Sequence, residues 1–357
     1  MITTLIILFI IGYMCIALEH PIKIDKAASA LVTGVLCWTI FVIFSDLGYY
    51  KISKELQYHL IHISEILFFL LGAMTIVELV DAHRGFSIIT DRIKTTDKMK
   101  LLWIISILSF FFSAVLDNLT TAIVMAALLP KIIRDKDDIW FFGGMVILAC
   151  NAGGAWSPIG DVTTIMLWIG GQVTALNIIT SIFIPSLVCM LAPLIYLSFH
   201  VKGKVNSPVV TKELNQANLP TKKESNLVFS LGVIGLLFVP FFKTVTHLPP
   251  YMGMLLSLGV LWLVTEILHR NKKGTHKASL TVIGVLKKIE MPTIFFFMGI
   301  LLAVSCLQSV GILDELADYL NNKIGNIYVI NVSVGLMSSI VDNVPLVAAA
   351  MGMYPIE

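Results

Sequence analysis

Charge is scarce in this sequence. Only 13% of its 357 residues are Asp, Glu, Lys or Arg, against 57% hydrophobic, and the mean hydropathy is +0.88. That balance excludes a soluble enzyme or binding module and describes a polytopic membrane protein. Cysteine is also sparse. The five (Cys15, Cys37, Cys150, Cys189 and Cys306) are scattered, mostly through apolar runs, with no CxxC. This excludes a disulfide framework or a cysteine metal cluster. Met1–Leu18 lacks a basic n-region and a clear small-residue cleavage site, which argues against a cleavable signal. A net charge of +2 says little, because in membrane proteins the placement of Lys and Arg outweighs their sum. No enzyme activity, cofactor or nucleic-acid partner is expected.

What is present is polarity in unusual places. Within an apolar run from 139 to 170 lies Asn151-Ala-Gly-Gly-Ala-Trp-Ser-Pro-Ile-Gly-Asp-Val-Thr-Thr164. Gly153, Gly154, Pro158 and Gly160 disfavour a continuous helix. Asn151, Asp161, Thr163 and Thr164 need polar partners at that depth. A carboxylate at the centre of a spanning helix costs about 2.5–3.5 kcal/mol on insertion scales. Broken helices are tolerated in a membrane only where they line a cavity or are buried in protein. The stretch therefore predicts an ion site in a transporter.

Apolar runs lie at 2–18, 27–44, 57–80, 101–116, 119–133, 139–170, 175–199, 226–242, 251–269, 292–308, 325–341 and 344–354. Two pairs of short runs, 101–116/119–133 and 325–341/344–354, are each interrupted by Asp-Asn: Asp117-Asn118 and Asp342-Asn343. Short pairs with a polar tip suggest re-entrant hairpins, 101–133 and 325–356. Basic residues crowd the connections 81–100, 131–138, 200–225 and 270–290, which places all four in the cytoplasm. The first hairpin then opens to the cytoplasm, although two full spans would return to the same side. The second opens outward, and the N-terminus is outside. Segments 83–98 and 312–323 read as short interfacial helices, and Trp38, Trp140 and Trp262 as interfacial anchors.

The chain repeats itself. Asp117, Asn118 and Pro130 match Asp342, Asn343 and Pro355 at one offset of 225, and Leu67–Gly72 matches Ile294–Gly299 at 227. Five crossings separate the copies, so the repeats are inverted, a recurrent plan of secondary transporters. The expected fold is an all-α polytopic membrane protein of inverted repeats with re-entrant hairpins and broken helices. Residues 1–199 form the first repeat, 200–225 a cytoplasmic linker, and 226–357 a second repeat truncated after its hairpin. Nothing after Glu357 matches Asn151–Thr164, so the chain reads as a fragment.

Three carboxylates, Asp117 and Asp342 at hairpin tips and Asp161 at the helix break, favour a cation. Asn118, Asn151, Asn343, Thr163, Thr164, Ser113, Ser338 and Ser339 add neutral oxygens. Hard oxygen donors suit Na⁺ or Li⁺. A carboxylate that holds either a proton or a cation is a minimal device for antiport. The plainer reading is that the aspartates cap helices, since Asp117 and Asp161 each precede an apolar run. Both roles can coexist.

The runs Ser113-Ala-Val-Leu-Asp-Asn-Leu-Thr-Thr-Ala122, Asn151–Thr164 and Ser338-Ser-Ile-Val-Asp-Asn-Val-Pro345 resemble NhaD-type sodium/proton antiporters of the ion transporter superfamily, and the likeness runs through essentially the whole chain. It implies inverted repeats of five spans plus a hairpin, a scaffold domain that dimerises, and a transport domain that moves. It also implies functional roles for Asp117, Asn118, Asn151, Asp161, Thr163, Thr164, Ser338 and Asn343. Its expected partners are Na⁺, Li⁺, H⁺ and a bilayer, in a cytoplasmic (inner) membrane.

Three rival readings compete with an antiporter. A Na⁺-coupled anion or dicarboxylate symporter would need basic groups or helix N-termini at the tips. An intramembrane aspartyl protease would need two carboxylates sharing a proton, and Pro158 breaks its Gly-x-Gly-Asp signature. A channel differs from an antiporter only in flux coupling.

Overall fold

The computed structural model describes residues 1–90, 93, 95–206, 220–270, 280–339 and 342–354. Its helices, numbered along the chain, are α1 (Ile2–Ala17), α2 (Glu19–Ile22), α3 (Lys26–Phe44), α4 (Tyr49–Ala82), α5 (Ser87–Thr90), α6 (Lys98–Leu116), α7 (Asn118–Ile132), α8 (Lys136–Ala155), α9 (Val162–Ile169), α10 (Ala175–His200), α11 (Lys222–Thr246), α12 (Pro250–His269), α13 (Val282–Leu286), α14 (Met291–Ser309), α15 (Ile312–Lys323), α16 (Ile327–Ser338) and α17 (Asn343–Met353). Among the described residues, eight helices (α3, α4, α6, α8, α10, α11, α12 and α14) are long and apolar enough to cross a membrane. Lipid offers the backbone no hydrogen bonds, so the apolar runs become helices. Polar residues at their edges set the starts. Asp25, Asp97 and Asp135 accept backbone N–H groups at the heads of α3, α6 and α8, and Thr221 with Glu224 forms a capping box on α11.

The long helices follow the predicted runs with ends displaced by a few residues, α4 most of all. Helix α4 has 34 residues and begins at Tyr49 rather than 57. Lys51, Lys54 and Glu55 lower the hydropathy there, but their side chains are exposed, so the helix tolerates them. Helix α6 begins at Lys98, where Asp97 caps it, rather than at 101. Positions 340, 341 and 355–357 of the second hairpin and repeat lie outside the described residues.

The chain divides into two compact units, each drawing on both predicted repeats. The first comprises Met1–Leu70, Ile169–Gln172 and Glu290–Glu357. Here α3 and α14 pack backbone to backbone: a Cβ at Gly34 would fall 2.5 Å from the Gly299 carbonyl oxygen. Leu5, Cys37, Trp38, Phe41, Ile52, Ala303 and Cys306 form the core. Trp38 is not the interfacial anchor expected of it. It is 5% exposed, and its indole N–H donates to the Leu302 carbonyl at 2.9 Å. Trp140 is 82% exposed. Helix α15 is amphipathic, burying Leu313 and Ala317 and exposing Asp314 and Glu315.

The second unit comprises Leu71–Trp168 and Val173–Ile289. Phe110, Met125, Phe142, Met145 and Met190 lie in a core built mainly by α6, α7, α8 and α10. Three of the basic connections meet at one end of it. Val205 N–H donates to Thr96 (2.7 Å), Lys98 N–H to Gly203 (3.1 Å) and Arg134 N–H to Asn206 (2.9 Å). Lys98 also pairs with Asp138 at 2.6 Å. So α6 leaves this end and α7 returns to it, as either a re-entrant hairpin or a pair of spans would.

Candidate functional site

The site is assembled in the second unit from two interruptions of helix. Between α6 and α7 a single residue, Asp117, turns the chain with φ 77° and ψ 158°. That backbone region is essentially reserved for glycine, and a side chain there is strained. Between α8 and α9 the chain is irregular from Trp156 to Asp161. The two interruptions touch because α8 has no side chain where they meet. A Cβ at Gly153 would collide with the Phe110 carbonyl oxygen, and one at Gly154 with that of Gly160. The Ser113 hydroxyl donates across this contact to the Cys150 carbonyl at 2.5 Å. Trp156 stacks on Phe110 (6.2 Å between centroids) and meets Phe183 edge-on (5.0 Å), walling the site with aromatic surface.

Both aspartates cap the helices that follow them. Asp117 accepts from the Thr120 N–H (2.8 Å) and hydroxyl (2.7 Å). Asp161 Oδ1 accepts from the Thr163 N–H (2.8 Å) and hydroxyl (2.5 Å), and the Thr164 hydroxyl returns to the Asp161 carbonyl at 2.9 Å. Asn118 joins the two interruptions. Its amide nitrogen donates to Asp161 Oδ2 (2.5 Å) and to Asn151 Oδ1 (2.9 Å). Asp161 is 7% exposed. The helix N-termini aimed at these carboxylates carry about half a positive charge each, which complements them.

Five predicted site residues, Asn118, Asn151, Asp161, Thr163 and Thr164, are thus brought into one hydrogen-bonded cluster, and Asp117 adjoins it in the chain beside Asn118. Ser338, Asp342 and Asn343 belong to the first unit. There Asp342 caps α17 through the Val344 N–H (3.1 Å). It also pairs with Lys26 Nζ at 3.4 Å, and the Tyr13 hydroxyl donates to its carbonyl at 3.5 Å. Lys26, 4.4 Å from the Phe296 ring centroid, is not a residue that sequence reasoning singles out. It stands at the very start of α3, where sequence reads only a helix edge. Thr120 escapes it as well. The spacing Asp117-x-x-Thr120 is a usable signal for it, since the side chain of an N-cap accepts from the third residue of the helix.

Chemically, the cluster in the second unit offers carboxylate, amide and hydroxyl oxygens, the donor set of a hard monovalent cation. Among the described residues no three His, Cys, Asp or Glu side chains gather as a metal site.

The comparisons with known proteins point to membrane transporters. A family profile described as citrate transporter (CitMHS) matches residues 6–357. Sodium/proton antiporter 1 of Arabidopsis thaliana is 45% identical over 98% of this chain and 60% of its own length. Sodium/proton antiporter 2 of the same plant is 42% identical over 98% of this chain and 83% of its own length. The Na⁺/H⁺ antiporter NhaD of Vibrio cholerae is 30% identical over 98% of this chain and 77% of its own length.

Proposed function

This chain belongs to the citrate transporter (CitMHS) family, in its NhaD-type sodium/proton antiporter group, and we infer that it exchanges Na⁺ or Li⁺ for H⁺ across a membrane by alternating access. It is a multi-pass membrane transporter and not an enzyme. The observation that carries the exchange reading is the buried Asp161 carboxylate, tied through Asn118 to Asn151 and adjoining Asp117 at the junction of two broken segments.

A proton and a cation compete for the same carboxylate oxygens. With Asn118 donating to Asp161 Oδ2, a cation gains that oxygen only when the amide withdraws its N–H and turns its own oxygen inward. Binding is thereby coupled to a rearrangement of the hairpin tip that carries Asn118. Protonation of the carboxylate removes the charge that holds the cation. Asn151 Oδ1 and the Thr163 hydroxyl are the neutral ligands. Ser338, Asp342 and Asn343 remain candidate ligands by their place in the predicted second repeat. The re-entrant course of both hairpins, a homodimer through the scaffold domain, and residence in a cytoplasmic (inner) membrane complete the proposal.

The test is proton flux in proteoliposomes, followed with a pH-sensitive dye. Na⁺ added outside should alkalinise an acid-loaded lumen, and Asp161→Asn should abolish the response. Exchange that survives both Asp161→Asn and Asp117→Asn sinks the assignment. The family description makes a Na⁺-coupled citrate symporter the second reading. Uptake of labelled citrate with no Na⁺-driven proton flux would establish it.

A further inference from the structure

Every Lys and Arg of the second unit except Lys243 falls in the basic connections 81–100, 131–138, 200–225 and 270–290. Basic residues gathered there are the ordinary mark of a cytoplasmic side. Lys243 stands in the last turn of α11, at the opposite end of that helix from Lys222 and Lys223, so the same rule does not account for it. An ionisable residue set apart on a membrane helix calls for a partner within the protein.

The plain account is a lysine that complements the C-terminal end of its own helix and draws its ammonium out to solvent. The geometry departs from that account. Lys243 Nζ donates to the Trp168 carbonyl of α9 at 3.0 Å. It also lies 4.7 Å from the centroid of the Trp168 ring, and Trp168 is 2% exposed. The ammonium thus serves the C-terminal end of a second helix. The last carbonyls of a helix have no partner within it, and where water is excluded each needs a donor from elsewhere. In α9 the Leu167 carbonyl accepts from the Val173 N–H at 3.4 Å, and the Trp168 carbonyl from Lys243. A charge-assisted bond reinforced by a cation–π contact is among the stronger ways to hold such an end.

Helix α9 is short and carries the ion site at its head. Its 8 residues span about 12 Å, fewer than the roughly 12–15 at which an isolated helix becomes even marginally stable. At its head Asp161 accepts the Thr163 N–H and hydroxyl and the Asn118 amide. One end of α9 therefore belongs to the cation cluster, and the other is tied to α11 by Lys243.

We propose that Lys243 is a positioning residue for the Asp161 cluster: it anchors the C-terminal end of α9 and thereby fixes where Asp161 stands at the head. The anchor stands on the geometry; its consequence for Na⁺ rests on the exchange reading above. Without the ammonium α9 frays from its C-terminal end. The arrangement in which Asp161 and the Thr163 hydroxyl face a cation together is then populated only part of the time, and apparent affinity falls by that fraction.

Hydrogen–deuterium exchange of the whole protein in lipid nanodiscs, read by mass spectrometry, tests the anchor, with peptides of α6 as the internal reference. In Lys243→Met the amides of α9 should exchange about tenfold or more faster while those of α6 keep their rate. Lys243→Arg retains the charge and the donors and should stay within about twofold of the unaltered protein. In proteoliposomes Lys243→Met should raise the Na⁺ concentration for half-maximal proton flux by about tenfold, with the maximal rate per folded protein little changed, and Lys243→Arg should restore it. A merely structural lysine would lower the amount of active protein and leave half-saturation where it was. Unchanged exchange at α9, or unchanged half-saturation in Lys243→Met, overturns the proposal. If that variant fails to fold, Lys243→Gln, which keeps a polar head without the charge, takes its place with the same expected shifts. Faster exchange at α9 in a protein that shows no Na⁺-driven flux even when unaltered would keep the anchor and remove the exchange reading instead.

Discussion

Asp117 combines two opposing energies that substitution can separate. Its backbone at φ 77°, ψ 158° lies where only glycine is at ease, at about 1–3 kcal/mol for any other residue. Its side chain recovers part of that through the two bonds from Thr120, and a cap of this kind contributes about 0.5–2 kcal/mol. Asp117→Ala loses the cap and keeps the strain. Asp117→Gly loses the cap and releases the strain, at the expense of extra freedom in the unfolded chain, about 0.5–1 kcal/mol. The difference leaves Gly more stable than Ala by up to about 2.5 kcal/mol, or up to roughly 5 °C in midpoint. The assay is thermal unfolding of the two variants side by side in one detergent, with proton flux measured on both. Neither variant should exchange, because both lack the carboxylate. At an ordinary position Ala stabilises relative to Gly, so the sign alone is diagnostic. Ala at or above Gly would refute the strained tip.

Two further outcomes follow from the same geometry. Gly153→Ala drives a Cβ into the Phe110 carbonyl, whereas nothing lies within 4 Å of a Cβ at Gly144 on the same helix. The first should destabilise by about 1–3 kcal/mol and impair exchange. Gly144→Ala should be neutral or slightly stabilising in thermal unfolding, and equal effects would show that α6 and α8 do not approach this closely. Lys26→Met removes the pair with Asp342, whose side chains are 38% and 27% exposed. Solvent screening limits its worth to less than about 1 kcal/mol, so a larger loss in the same assay would mean that Lys26 does more than pair.

Much of the helical framework is legible in the amino-acid sequence. Hydropathy dictates helices because lipid leaves the backbone no alternative, and the runs at 27–44, 101–116, 175–199 and 292–308 correspond to α3, α6, α10 and α14 with ends displaced by a few residues at most. Asp-Asn at 117–118 and the Gly/Pro-rich stretch 151–164 announce the breaks, since neither belongs inside an ordinary membrane helix. Where hydropathy and burial part company, sequence reasoning fails. Lys51, Lys54 and Glu55 hide the first turns of α4, and Trp38 resembles an anchor although its indole has a carbonyl to meet within the core.

Local composition and periodicity suffice for the class of protein, the approximate position of the long helices and of both breaks, and the residue types of a candidate cation site. Which polar residues meet is a matter of three-dimensional packing. Asn118 reaches Asn151 and Asp161 across 33 and 43 residues, and Lys26 reaches Asp342 across 316. Ser106 Oγ, by contrast, finds no protein partner among the described residues. Those pairings follow from how closely helices approach one another. That distance is set by packing at positions such as Gly153 and Gly154, and no local pattern encodes it.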